Sequence, residues 1–183
     1  MQYKDPITGY TFEVKSSDVD MKIQTVTLFA AWEVGMVLNY YAGKAPVVTS
    51  ASRSEKEQRR AMDRLKKPPY NLAYYNQVYG KLLASGTKVA DFPHVRRGAL
   101  DYRLKGFEKA IPAIQLLVDK YRGGITKVLG YVPSDLVVIE AKNCFHVQTP
   151  RGITEDSQEL RGNLLQFIRD IVQETLAAPG LIT

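Results

Sequence analysis

An α+β fold, with helices outside a small antiparallel sheet, is the class that the 183-residue sequence predicts. Three observations point to it. Residues 17–41 and 156–177 carry apolar side chains at helical density or spacing. Short apolar runs at 45–50, 99–104, 136–140 and 144–147 read as strands. The chain is also long enough to bury one core without staples, so residues 1–183 are expected to form a single domain.

In order along the chain, residues 1–16 hold Tyr3, Tyr10, Phe12 and Val14 around a Pro-Ile-Thr-Gly turn, which suggests a short hairpin or an irregular arm. A helix is expected from Ser17 to Tyr41, with Ser17 to Asp20 offering N-caps and Gly43 the stop. Val26, Leu28, Phe29, Trp32, Val34, Met36 and Val37 are too dense for an exposed helix, so most of it should be buried. After the strand at 45–50, a charged helix opens at Ser54, with Glu57 at the capping-box position, and Pro68-Pro69 ends it. Tyr70, Tyr74, Tyr75 and Tyr79 lead into a second helix closing near Gly86. These tyrosines suit either a stacking platform for a ligand or ordinary helix packing with wet hydroxyls. A helix over Phe107–Tyr121, strands at Leu136–Glu140 and Cys144–Val147, an exit turn at Pro150-Arg-Gly and an amphipathic helix over Asp156–Ala177 complete the chain. That last helix is expected to cover the sheet or to form a dimer seam.

The formal charge of +6 favours an anionic partner through long-range attraction, or else marks a solvated basic surface. No zinc-finger spacing or RNA-binding aromatic signature is present, so nucleic acid is not expected. One cysteine, Cys144, excludes an internal disulfide framework. The first residues lack the apolar core of a secretory signal, and the longest apolar stretch is too short to span a bilayer. Synthesis in a cytoplasm without a transmembrane segment is the expectation.

The two histidines carry the chemistry. His94 is followed seven positions later by Asp101, and His146 closes an apolar run with Glu140 six positions upstream. If Asp101 lies on a strand and His94 in the loop feeding it, both side chains can reach one spot, which His146 completes from a neighbouring strand. Two imidazoles and a carboxylate suit zinc, with a fourth position open.

Ser50-Ala-Ser-Arg53, then His94-Val-Arg-Arg-Gly-Ala-Leu-Asp101, then Glu140-Ala-Lys-Asn-Cys-Phe-His146, in that order, resemble the D-alanyl-D-alanine metallopeptidase superfamily, which includes phage peptidoglycan endopeptidases and the Hedgehog signalling domain. The resemblance covers roughly residues 20–150. It implies a Hedgehog/DD-peptidase-like fold with Zn2+ held by His94, Asp101 and His146. Arg53 would stabilise the developing oxyanion, and Glu140 would serve as general base. The substrate implied is a peptidoglycan stem peptide or another anionic cell-wall component. It would be cut by a zinc-activated water in the manner of an endopeptidase or a D,D-/L,D-carboxypeptidase, and reached after release from the cell or from a virion.

The chain departs from that pattern at four places. Arg97 occupies the motif's glycine position, with Gly98 after it, and Phe92 stands where a serine is often found. The segment at 54–92 is longer than usual and suits a lid or a specificity wall. Asn143 replaces the acid that many of these peptidases carry three residues before the last histidine. The Hedgehog branch instead places a glutamate six residues before that histidine, where Glu140 stands. An extended strand would set Glu140 roughly 20 Å from His146, so this role requires a bulge or turn at Lys142-Asn143. Other roles remain open for the same residues. Glu140 can be a strand-end surface carboxylate, Arg53 can pair with Asp101 or another acid, and Cys144 fits a small hydrophobe outside the zinc shell. The alternative function is a binding or structural protein on the same zinc-holding fold with catalysis lost.

Overall fold

The computed structural model describes residues 1–7, 9–119, 138–141, 144–149, 166, 169–170 and 172–177. Six strands form one sheet: β1 (Gln2–Lys4), β2 (Thr11–Val14), β3 (Val47–Ser50), β4 (Ala99–Arg103), β5 (Val138–Ala141) and β6 (Cys144–Gln148), in the spatial order β1-β2-β3-β4-β6-β5. The amino-terminal arm is a hairpin, with Tyr3 opposite Phe12. The sheet is mixed, which corrects the expectation of a wholly antiparallel one. β2 and β3 pair in parallel, Val14 beside Val48, while the other pairings are antiparallel. The cause is the connection. β2 and β3 are joined through α1 (Thr25–Ala42), and a helical crossover returns the chain to the sheet in the same direction.

α1 begins eight residues later than Ser17. Residues 17–24 are held elsewhere: Asp20 forms an isolated bridge with Ser52, and Met21 is buried in the core. Gln24 is the N-cap residue, and its side chain donates to the Arg96 carbonyl at 3.3 Å without capping the helix. Gly43 ends α1 in the left-handed conformation at φ 65°, the conformation glycine adopts without steric cost. As its density of apolar residues predicts, α1 is buried along most of its length, Val26, Leu28, Ala30, Ala31, Val34, Val37 and Leu38 among them. It packs on one face of the sheet against Leu100 and Tyr102 of β4 and Phe145 and Val147 of β6. The helix at 111–119 adds Ala113, Ile114, Leu117 and Val118 to the same core.

The carboxy-terminal helical residues lie on α1. This corrects the expectation that they cover the sheet. Tyr41 Oη donates to the Thr175 carbonyl at 3.2 Å, Arg169 pairs with Glu33 at 3.7 Å and sits over the Phe29 ring, and Val172 joins the core. The expected start of this helix, the end of the helix after 119 and the turn at Pro150 lie outside the described residues.

α2 (Glu55–Arg64) has the full capping box. The Ser54 hydroxyl accepts from the Glu57 amide, and the Glu57 carboxylate accepts from the Ser54 amide. Beyond it, α3 (Leu72–Tyr75), a π-helical turn at Asn76–Gly80 and α4 (Lys81–Ala84) follow one another. Tyr75, Tyr79 and Leu83 pack there against a second small core of Met62, Val89 and Phe92, while Tyr70 stacks on Tyr74 outside it. Among the described residues, no helix is long and apolar enough to cross a membrane.

One contact fixes the distance between α1 and the sheet. The fully buried Tyr102 donates its hydroxyl to the Ala31 carbonyl at 2.6 Å, and burial pushes its phenol pKa up, so it stays a donor. A Cβ on Gly35 would stand 3.0 Å from that hydroxyl. Gly35→Ala should therefore lower stability by about 1 kcal/mol, overpacking outweighing the helical preference for alanine. In a Tyr102→Phe background the same substitution should become neutral or stabilising. Chemical denaturation of the four members of this cycle checks both signs.

Candidate metal centre

The site face of the sheet is opposite α1. Along β6 the chain alternates, Phe145 and Val147 entering the core while Cys144, His146 and Gln148 face the other way. Along β4, Leu100 and Tyr102 face α1, so Asp101 projects to the site face. Cross-strand register then sets the row. Asp101 pairs with His146, His146 with Glu140, and Ser50 with Asp101. The pairing of β3 with β4 shifts between Val48 and Ser50, leaving Thr49 as an extra residue whose hydroxyl donates to the Asp101 carbonyl at 3.3 Å.

His94 comes from the turn ahead of β4, and the residues after β3 hold it twice. The Arg53 amide donates to the His94 carbonyl at 3.1 Å, and the His94 Nδ1–H donates to the Ala51 carbonyl at 2.6 Å. A carbonyl only accepts, so that bond puts a proton on Nδ1 and turns Nε2 inward. Nε2 lies 3.2 Å from Asp101 Oδ2. On the other side, His146 Nδ1 lies 2.6 Å from Asp101 Oδ1, and its Nε2 lies 2.9 Å from Gln148 Oε1. Asp101 Oδ1 accepts from Nδ1, and Gln148 Oε1 stands as an acceptor for Nε2. The two rings stand 5.2 Å apart, tilted by 61°.

A cation fits this arrangement. With a cation bound, each imidazole would carry its proton on the outer nitrogen, and its inward lone pair would join the Asp101 carboxylate as a ligand. All of these are electron-pair donors, and one atom from each residue lies within 4.8 Å of the others. Tetrahedral zinc with ligand bonds near 2.1 Å spaces its ligands about 3.4 Å apart. The separations of 3.2 and 2.6 Å require only a small outward adjustment. Neutral imidazoles and a carboxylate form the donor set of open catalytic zinc sites.

Asp101 is buried, at 8% exposure, and burial by itself would raise its pKa; the charges and hydrogen bonds of His94 and His146 win and hold it well below the usual carboxylate range. Arg53 stands beside the same carboxylate, its Nη2 lying 3.4 Å from Asp101 Oδ2. The guanidinium also donates from Nη1 to Gln58 Oε1 at 3.1 Å, and the Gln58 amide donates to the Tyr79 hydroxyl at 3.3 Å. Tyr79 stacks on Phe92, two residues before His94.

His94, His146 and Arg53 thus each contact Asp101, and the backbone register sets Glu140 directly opposite His146. The required reversal is present as a hairpin, because β5 and β6 pair antiparallel with Ala141 opposite Phe145. Lys142, Asn143 and the Glu140 side chain lie outside the described residues. Cys144 faces the same side as His146, and its register partner is Arg103. The outer hydrogen-bonding residues were missed from sequence: Gln148, Gln58, Tyr79 and the Ala51 carbonyl. Gln148 carried a usable signal, two positions from His146 on a strand and therefore on its face. Gln58 and Tyr79 carried none.

Arg97 adopts φ 62°, the left-handed conformation that suits glycine. Compared with known proteins, the chain matches no family model, no curated protein and no solved structure.

Two measurements follow. Arg97 is exposed, so Arg97→Gly removes little packing and should raise stability by about 0.5–1 kcal/mol in denaturant unfolding. In elemental mass spectrometry, the wild type should hold one zinc per chain, His94→Ala and His146→Ala none. Gln148→Ala should weaken zinc about 10–100-fold in a chelator competition.

Proposed function

We propose that the chain is a zinc-dependent peptidase that hydrolyses peptidoglycan stem peptides. The observation that carries this reading is the convergence of His94 Nε2, Asp101 and His146 Nδ1, each imidazole held by an outer hydrogen bond that turns its other nitrogen inward. His94, Asp101 and His146 would hold the ion. When bound, zinc supplies Lewis acidity, which activates water at neutral pH.

The remaining work falls to the chain's own residues. Glu140, in register beside His146, is the general base: it takes the proton of the attacking water and returns it to the departing amine. An asparagine amide cannot take that proton, so Asn143 has no part in this step. Arg53 uses two of its five N–H donors on Asp101 and Gln58, which fixes a positive charge at the centre with donors left for a substrate carbonyl oxygen. The resemblance in motif order supports peptidoglycan as substrate, and the formal charge of +6 suits an anionic wall. Such an enzyme would act after release from the producing cell, or from a virion.

Asn143 favours a second reading, a zinc-holding binding or structural protein without hydrolysis. Release of amines from purified peptidoglycan separates the two. The peptidase reading expects zinc-dependent release, reduced about 10²–10⁴-fold in Glu140→Gln with zinc content unchanged. Full activity in that variant would place the base elsewhere, and no release by zinc-loaded wild type would leave the binding protein.

A further inference from the structure

The hydrogen bonds that run from Arg53 through Gln58 to Tyr79 have a direction, and the arginine fixes it. A guanidinium only donates, so the Gln58 atom that meets Arg53 Nη1 at 3.1 Å is the carboxamide oxygen. The other end of that carboxamide is then the NH2 group, and it donates to the Tyr79 oxygen at 3.3 Å. Gln58 is buried, at 2% exposure, so its carboxamide depends on these partners. Tyr79 therefore enters the network as an acceptor, and its own proton is not spent there. The hydroxyl makes no other hydrogen bond among the described residues.

That proton is close to the centre and shielded from bulk water. Tyr79 is half-buried, its ring stacked on Phe92 with centroids 5.5 Å apart. Burial pushes the phenol pKa up, and the charges of Arg53 and Asp101 also reach it. Two bonds to one carboxamide keep the phenol oxygen within about 9 Å of Arg53 Nη1. The residue belongs to the π-helical turn Asn76–Gly80, a backbone irregularity of the kind that concentrates at functional sites. Arg53 keeps N–H donors beyond those on Asp101 and Gln58. Two donors held at such a spacing match carbonyls on one edge of an extended peptide, which recur every second residue, roughly 6.6 Å apart.

We infer that the Tyr79 hydroxyl is a substrate-binding donor: it takes a backbone carbonyl of an extended peptide two residues from the carbonyl that Arg53 takes, and Gln58 is the positioning residue that turns its proton outward. The inference deepens the proposed function and rests on it for the peptide nature of the ligand. The hydrogen-bond direction stands without zinc.

The test is titration calorimetry on metal-free wild type and on zinc-supplied Glu140→Gln, where turnover is suppressed. The probe is a peptidoglycan stem peptide with its carboxylates amidated and its amines acetylated, so that charge does not enter. Analogues carry one thiocarbonyl each, because sulfur accepts hydrogen bonds poorly. Tyr79→Phe keeps the ring and should bind the parent peptide about fivefold more weakly in both metal states. One thiocarbonyl should cost about the same factor with Tyr79 present and nothing in Tyr79→Phe. Gln58→Glu supplies the sharper contrast. A carboxylate still accepts from Arg53 but has no N–H, so Tyr79 must donate to it. That variant should match Tyr79→Phe although the hydroxyl remains, and the double variant should be no weaker than either single one. Undiminished binding by Tyr79→Phe or by Gln58→Glu would overturn the inference. So would a weakened Tyr79→Phe that stays sensitive to every thiocarbonyl, because the hydroxyl would then act only through Gln58 and Arg53. Failure of the peptidase reading shows differently. A wild type without zinc or hydrolysis, whose metal-free form still shows the Tyr79 effect, removes catalysis alone, and one that binds no stem peptide removes the substrate and this inference together.

Discussion

Everything at the site answers to one cost, the burial of the Asp101 carboxylate on the central strand. A charge taken out of water costs several kcal/mol unless charged or hydrogen-bonding partners replace the solvent. Here each oxygen is met. His146 faces Oδ1, and His94 and Arg53 face Oδ2. The three partners arrive from separate pieces of chain: β6, the turn ahead of β4 and the residues leaving β3. Cross-strand register delivers His146, the hydrogen bond from the Arg53 amide to the His94 carbonyl joins the other two, and the shift beside Thr49 turns the strand end toward them. Truncating any one partner would leave a buried charge short of compensation. The cluster is therefore a constraint on the fold as well as a candidate for chemistry.

A buried ion network and a metal site can contain the same residues, and a metal site also needs an outer hydrogen bond on each histidine. A histidine that merely neutralises a carboxylate does best with its proton between the two. The Ala51 carbonyl and the Gln148 side chain give each ring an outer acceptor, so each ring could keep a proton there and offer its inner nitrogen to a cation. Both bonds come from backbone geometry that the ligands themselves do not set, one from a loop after β3 and one from strand alternation. Their coincidence at both rings gives both histidines the outer support that metal ligands use.

Much of this was legible in the sequence, for reasons that differ by element. The capping box at Ser54 and the stop at Gly43 were readable because they depend on local hydrogen bonding and backbone conformation alone. The start of α1 was not. Ser17 to Asp20 are good caps, but the bridge from Asp20 to Ser52 and the burial of Met21 are tertiary facts that outweigh capping preference. The parallel pairing of β2 with β3 was missed because short strands declare their faces and not their neighbours. His94, Asp101 and His146 could be named from spacing and chemistry, and the hairpin that Glu140 requires could be anticipated from Lys142 and Asn143. What spacing could not show is that Arg53 already faces Asp101, because that contact spans 48 residues.

That contact also changes what the segment at 54–92 is for. As a lid or a wall it would be added to a finished centre. Instead, Arg53 is held by Gln58, Gln58 by Tyr79, and Tyr79 stacks on Phe92, which leads back to His94 within two residues. The path leaves the centre through its guanidinium and returns through its first histidine. Burial pushes the Tyr79 phenol pKa up, so the hydroxyl at the far end stays neutral and cannot draw Arg53 away from Asp101 as a phenolate would. Phe92 is then the stacking partner of Tyr79 in the segment that precedes it. α2 is thus part of the centre's own support, because its Gln58 side chain orients the arginine that faces Asp101.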